Sequence, residues 1–222
     1  MNLQVLADGP AIARAATAVI REAAASALAA RGNFSLVLAG GSTPGLAYAL
    51  LAEAVEDWHG WQFYLGDERC LPVGHSGRNS SMLDKALFCP AGIDAGQIHM
   101  IPAELGAEQG AAAYTATIEA VQPFDLVLLG LGEDGHTASL FPGHEHPADA
   151  LVVPVHHAPK PPAERISLNY GVLSSARRQL FLVSGRGKHQ ALSAWRRGED
   201  IPAARIRGGN MQILADEAAI HG

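Results

Sequence analysis

The chain has 222 residues, 48% of them hydrophobic and 17% charged. A chain of this kind buries roughly 70% of its extended surface without disulfide or metal staples, which excludes the disordered and mini-protein classes. The formal charge is −6, from 22 acidic and 16 basic residues, so there is no basic field for nucleic acid and no Lys/Arg run for an anionic membrane.

Small molecules are therefore the expected partners. The two cysteines, Cys70 and Cys89, match no Cys-x-x-Cys spacing and point to a reducing cytoplasm. Residues 1–10 lack a basic n-region, and the Ala-rich stretch after them is interrupted by Arg14, Arg21 and Glu22. Neither a signal peptide nor a membrane span is expected.

Residues 11–30, mostly Ala with Ile12, Val19, Ile20 and Leu28, predict a helix that stops before Arg31 and Gly32. Residues 34–39 form a short apolar run without alternation, the pattern of a strand buried on both faces in a parallel sheet. Further helices are predicted at 44–55, 79–87 and 107–121, and strands at 61–65 and 124–129. The last third offers strands at 151–155, 165–168, 179–183 and 212–214, with helices at 187–197 and near Asp216. Alternating strands and helices predict an α/β fold with a layered, mostly parallel sheet. Residues 159–162 (Pro-Lys-Pro-Pro) mark a stiff loop, and no repeat or low-complexity linker divides the chain, so one domain over 1–222 is expected.

Gly40-Gly41-Ser42-Thr43-Pro44 lies where a buried strand hands over to a helix. With Ser or Thr at the N-cap and Pro at the first helical position, such a turn presents backbone N–H groups and a helix N-terminus to an anion. It is not a P-loop, because Leu46 follows Gly45 where Lys-Ser/Thr is required. A well-capped helix after a tight turn would look the same.

Residues 130–135 (Gly-Leu-Gly-Glu-Asp-Gly) match Gly-x-Gly-x-x-Gly after a strand. Three features argue against a dinucleotide site: Glu133 and Asp134 would face a pyrophosphate, Pro142 cuts short the following helix, and no acid ends the strand at 151–155. Asp134-Gly135-His136 then stands at the carboxyl end of a buried strand, where ligands bind in open α/β sheets. A histidine there can take a proton near neutral pH, and a carboxylate can fix its tautomer. The alternative is a loop histidine in an exposed turn.

Arg69, in Gly66-Asp67-Glu68-Arg69, also sits at a strand end and could grip a phosphate with its donor fork, or simply pair with Asp67 or Glu68. Arg165 and Lys188 are further cations near strand ends or helix starts. His144, His146, His156 and His157 show no firm ligand spacing, so no metal site is expected.

Together the runs at 38–44 (Leu-Ala-Gly-Gly-Ser-Thr-Pro), 66–69, 130–142 (through His-Thr-Ala-Ser-Leu-Phe-Pro), 161–167 (Pro-Pro-Ala-Glu-Arg-Ile-Ser) and 185–188 (Gly-Arg-Gly-Lys) resemble the glucosamine-6-phosphate isomerase/6-phosphogluconolactonase family. The likeness is on the 6-phosphogluconolactonase side and runs through nearly the whole chain. It implies a three-layer α/β/α sandwich shared with glucosamine-6-phosphate deaminase and ribose-5-phosphate isomerase A. It also implies hydrolysis of 6-phospho-D-glucono-1,5-lactone without metal or organic cofactor, by a monomer or small homo-oligomer.

On that resemblance, Gly41, Ser42 and Thr43 with Arg69, Arg165 and Lys188 are expected to hold the phosphate. His136 is expected to activate water and Asp134 to orient it. The chain departs from the family at Cys70-Leu71-Pro72 and Arg78-Asn79, in the outer substrate loop. A glucosamine-6-phosphate deaminase would share Asp-Gly-His but follow it with an acid, which residues 137–141 lack. A non-catalytic sugar-phosphate sensor would have no use for Asp134 and His136 together.

Overall fold

The computed structural model describes residues 2–222. The chain opens with β1 (Asn2–Leu6), α1 (Gly9–Arg31), β2 (Phe34–Leu38), α2 (Ser42–Ala54) and β3 (Trp61–Leu65). Next come β4 (Asp67–Arg69), α3 (Asn79–Leu83), a π-helical turn at Asp84–Phe88, α4 (Cys89–Ala91), β5 (Ile98–His99), α5 (Ala107–Glu119) and β6 (Leu126–Gly130). The last third holds β7 (Val152–Val155), β8 (Arg165–Leu168), α6 (Tyr170–Ser175), β9 (Gln179–Val183), α7 (His189–Arg196), α8 (Pro202–Arg205), β10 (Met211–Asp216) and α9 (Glu217–His221).

Seven strands form a parallel sheet in the order β1-β10-β9-β6-β2-β3-β5, the middle layer of an α/β/α sandwich. The central strands are buried on both faces, as in Phe34, Leu36, Val37 and Leu38 of β2 and all five residues of β9. This is why their sequences show apolar runs and no alternation. In α1 the buried face is Ile12, Ala13, Ala16, Val19, Ile20, Ala24 and Ala27, a helical spacing. Asp8 caps it by accepting from the Ala11 N–H at 2.7 Å, and Gly32 ends it with φ +72°. Small Ala side chains let α1 approach α2 closely, and Thr17 Oγ1 donates to the Ala47 carbonyl at 3.1 Å between them.

The chain order sets where a ligand fits. From β2 the sheet grows through β3 to β5, and then the chain returns to add β6 on the other side of β2. The reversal leaves a crevice at the carboxyl ends of β2 and β6, the switch point where open α/β sheets bind ligands.

Several expectations are corrected. The strands predicted at 151–155 and 165–168 do not join the parallel sheet: β7 and β8 pair antiparallel with each other, and β4 adds to β8. The nine residues between them are too few for the crossover that parallel neighbours need. At the start of α2 the N-cap is Gly41, with φ +114° and no side-chain cap bond, so Ser42 and Thr43 lie inside the helix and Pro44 is its third residue. The helix predicted at 79–87 passes into a π turn at Asp84. Strands β1 and β5 and helices α6 and α8, which the pattern did not announce, are short or lie at the edge.

Candidate functional site

A cleft of about 300 Å³ opens at this switch point. Its walls are Ala39, Gly40 and Gly41 after β2, Gly130 at the end of β6 with Leu131 and Gly132 after it, and the side chains of Arg69, His136, Arg165 and Lys188. Five of the residues singled out in the sequence therefore meet in one place. Asp134 stands behind His136 and borders a neighbouring hollow beside α7. Ser42 and Thr43 are not in the wall. Ser42 is exposed, and what both bring to the cleft's edge is the start of α2.

The loop after β6 is shaped to hold one imidazole. His136 Nδ1 lies 2.5 Å from Asp134 Oδ1, and the His136 backbone N–H donates to the same oxygen at 3.2 Å. A Cβ on Gly132 would come within 2.0 Å of Nδ1, so only glycine leaves room for the ring. On another side the Phe141 ring packs at 4.7 Å between centroids. Burial pushes the Asp134 carboxyl up, but the His136 side chain, its charge and its N–H outweigh it and hold the carboxyl below its ordinary range. An ionised Asp134 keeps the ring proton on Nδ1, which leaves the Nε2 lone pair unused; among the described residues Nε2 has no hydrogen-bond partner.

The cations are not spent on carboxylates. Arg69 does not pair with Asp67 or Glu68: its Nη1 donates to the Gly77 carbonyl at 2.9 Å, and its buried Nε has no partner. Arg165, buried over the Phe141 ring at 5.5 Å, donates to the carbonyls of Lys160 and Pro162 at 2.9 and 3.2 Å. Burial lowers its pKa, the Asp67 charge opposes this, and the Arg69 charge adds to it. Lys188 forms no ion pair among the described residues. Burial lowers its pKa, with Glu133 and Asp134 pulling the other way and Lys160 adding to the fall. Such a set of under-compensated cations favours an anion.

Sequence reasoning missed other wall residues. Asp67 is buried, accepting from Ser139 Oγ at 2.6 Å and from Asn79 Nδ2 at 3.1 Å, and both Asp67 and Asn79 line the cleft with Lys160 and Phe141. In the sequence Asp67 reads only as a salt-bridge partner of Arg69. Its place two residues past a buried strand was the available signal. Arg78 is not in the cleft wall. It is buried behind it, paired with Glu68 and Glu104. Among the described residues no group of three or more His, Cys, Asp or Glu side chains is placed to hold a metal, and no helix is long and apolar enough to cross a membrane.

Fold and cleft together define an open α/β protein with a cationic switch-point pocket and a carboxylate-held histidine. The chain belongs to the family described as glucosamine-6-phosphate isomerases/6-phosphogluconolactonase, which matches residues 7–215. A 6-phosphogluconolactonase of Streptomyces coelicolor is 37% identical, over 98% of this chain and 93% of its own. That of Homo sapiens is 30% identical over 98% and 92%. The crystal structure of a Thermotoga maritima 6-phosphogluconolactonase superposes with a TM-score of 0.89 at 30% identity, covering 97% of this chain and 98% of the other. A monomeric glucosamine-6-phosphate deaminase reaches 0.87 at 18% identity, a likeness of fold alone.

Proposed function

We propose that the chain acts as one α/β domain that hydrolyses 6-phospho-D-glucono-1,5-lactone to 6-phospho-D-gluconate, the lactonase step of the oxidative pentose phosphate pathway. The observation that carries this reading is the meeting, in one cleft, of Arg69, Arg165 and Lys188 with an imidazole whose Nε2 is unengaged. The relatives named above supply the substrate class.

In this reading the dianionic phosphate lies among Arg69, Arg165 and Lys188 and the start of α2, where the N–H groups of Gly41, Ser42 and Thr43 have no acceptor within the helix. Anchoring that end orients the ring for attack at the other. His136 Nε2 takes a proton from water as its oxygen adds to the C1 carbonyl. The C1–O5 bond then breaks, and the proton passes to the ring oxygen, which leaves as the C5 hydroxyl. Asp134 holds the ring and supports the imidazolium between these steps. Every atom of the hydrolysis comes from lactone and water.

The deaminase alternative has less support, because residues 137–141 carry no acid beyond the histidine. The test generates the lactone in place from glucose 6-phosphate and follows 6-phosphogluconate with a coupled dehydrogenase, subtracting spontaneous hydrolysis. Acceleration by the wild type that is lost in His136→Ala is the expected result. A wild-type rate equal to the no-protein control would reject the lactonase reading, and ammonia release from glucosamine 6-phosphate would replace it with the deaminase.

A further inference from the structure

The loop between β7 and β8, residues 156–164, supplies two parts of the cleft. Lys160 lines it directly. The carbonyls of Lys160, Pro161 and Pro162 accept from the Arg165 guanidinium at 2.9, 3.5 and 3.2 Å. These are its hydrogen-bond partners among the described residues, so the shape of the loop sets where this cation points.

The neck of the loop is closed by the Ala158 N–H, which donates to the Ala163 carbonyl at 2.9 Å, and by His156. His156 Nδ1 lies 2.6 Å from Glu164 Oε2, at the far end of the loop, and Nε2 lies 3.0 Å from Glu108 Oε1, in the first turn of α5. One ring thus ties the two ends of the loop to each other and to a helix. A neutral imidazole has a single N–H and can donate to only one of these carboxylates; the imidazolium donates to both.

The groups that face the ring are Glu108 from α5 and Glu164 at the foot of β8, with His157 at 6.5 Å between centroids on the same loop. On the β4 side Cys70 lies beside Glu164, its thiol pushed up to about 11 by burial, Glu164 and Glu68, and so uncharged at neutral pH. The hydrogen bonds that the ring donates to Glu108 and Glu164 raise the His156 pKa, outweighing burial, which lowers it.

We propose that His156 is a positioning residue for the anion subsite: as imidazolium it clamps the 156–164 loop to Glu108 and holds Lys160 and Arg165 for the ligand, and its deprotonation loosens both. This rests on the phosphate reading of Arg165. Because the folded state raises this pKa, the clamp is complete below the ordinary histidine value of about 6.5 and is lost as pH rises through the raised value. Exposed pairs of this kind are individually weak, so the expected effect is about two- to tenfold.

The test has two readouts at about pH 6 and about pH 8.5, on either side of the histidine range: hydrogen exchange of the loop amides, Ala158 above all, and the calorimetric Kd for 6-phosphogluconate. In the wild type, protection is expected to fall and Kd to rise two- to tenfold between the lower and the higher pH. His156→Ala is expected to be loose at both, and His156→Arg, which stays cationic, tight at both. Identical exchange in wild type and His156→Ala at each pH overturns the clamp. Exchange that follows pH while Kd does not overturns its link to the subsite. An Arg165→Ala variant that binds as well as wild type fails the phosphate reading instead, while the exchange data still judge the clamp.

Discussion

Arg69 and Arg165 are direct partners across the antiparallel β4–β8 ladder. Like charges placed opposite each other destabilise a sheet, and neither guanidinium has an acidic partner within ion-pair distance among the described residues. Both are instead held by backbone carbonyls, and both line the cleft. A dianion between them relieves the repulsion, which makes the arrangement costly when empty and favourable when filled.

The first prediction concerns Arg69→Ala. A hydrogen bond to a charged group is worth about 1.5–3 kcal/mol, so Kd for 6-phosphogluconate should rise about 10- to 100-fold. The melting temperature should hold or rise, because one of two opposed charges is gone. Calorimetry and a thermal melt read both; an unchanged Kd removes Arg69 from the subsite. Arg165→Ala is less clean, since it also frees the carbonyls of the Lys160 loop.

Gly132→Ala separates chemistry from binding. The backbone there needs no left-handed conformation, yet the added methyl would stand 2.0 Å from His136 Nδ1 and must push the imidazole off Asp134. Because a misplaced base acts as a missing one, kcat should fall by about 10²-fold or more. Kd for 6-phosphogluconate should change little, as Arg69, Arg165 and Lys188 are untouched. Near-native kcat would show that the ring's present position is not the working one.

His136→Ala should lower kcat by about 10²–10⁴-fold with Kd nearly kept. Asp134→Asn should lower kcat too, because an amide no longer obliges the proton to stay on Nδ1. The pair also has a pH signature. Asp134 is held below its ordinary range in the folded chain, so its contribution to stability is present above the usual carboxylate value of about 3.9 and is lost as pH falls through the lowered one. The difference in melting temperature between wild type and Asp134→Asn should stay level down to that value and shrink below it. A difference that is flat throughout would mean that the carboxylate gains nothing from His136.

Residues whose chemistry depends on local chain geometry could be read from sequence. Gly41, Asp134 and His136 follow buried apolar strands directly, and such strands have few ways to sit in a sheet. Whether Arg69 was a surface ion pair or a cleft cation was not decidable, because the answer lies with Gly77 and with Arg165, which is distant in sequence and brought opposite by β8. The same holds for Asp67, whose role depends on Ser139, 72 positions away. The antiparallel sheet of β4, β7 and β8 was hidden for a similar reason: all four residues of β8 are buried, a pattern that reads as a parallel strand.

Arg78 carries the last prediction. It is 4% exposed, beside a fully buried Glu68 at 3.4 Å, and also donates to Glu104 at 3.0 Å and to the Ile101 carbonyl at 3.0 Å. Glu68 in turn accepts from the backbone N–H groups of Arg69, Asn79 and Ser80 at 2.7–2.8 Å, capping α3 from outside and fixing Asn79 in the cleft wall. Removing the guanidinium strands the Glu68 charge, which costs about 3–5 kcal/mol. Arg78→Ala should lower the melting temperature by about 10 °C, unlike Arg69→Ala, and Glu68→Gln should lower it less, because Glu104 still pairs with Arg78. The double variant Arg78→Met/Glu68→Gln should recover part of that loss, because it leaves no buried charge without its partner. If Arg78→Ala instead melted like wild type while weakening 6-phosphogluconate binding, the guanidinium would belong to the ligand site and not to the frame behind it.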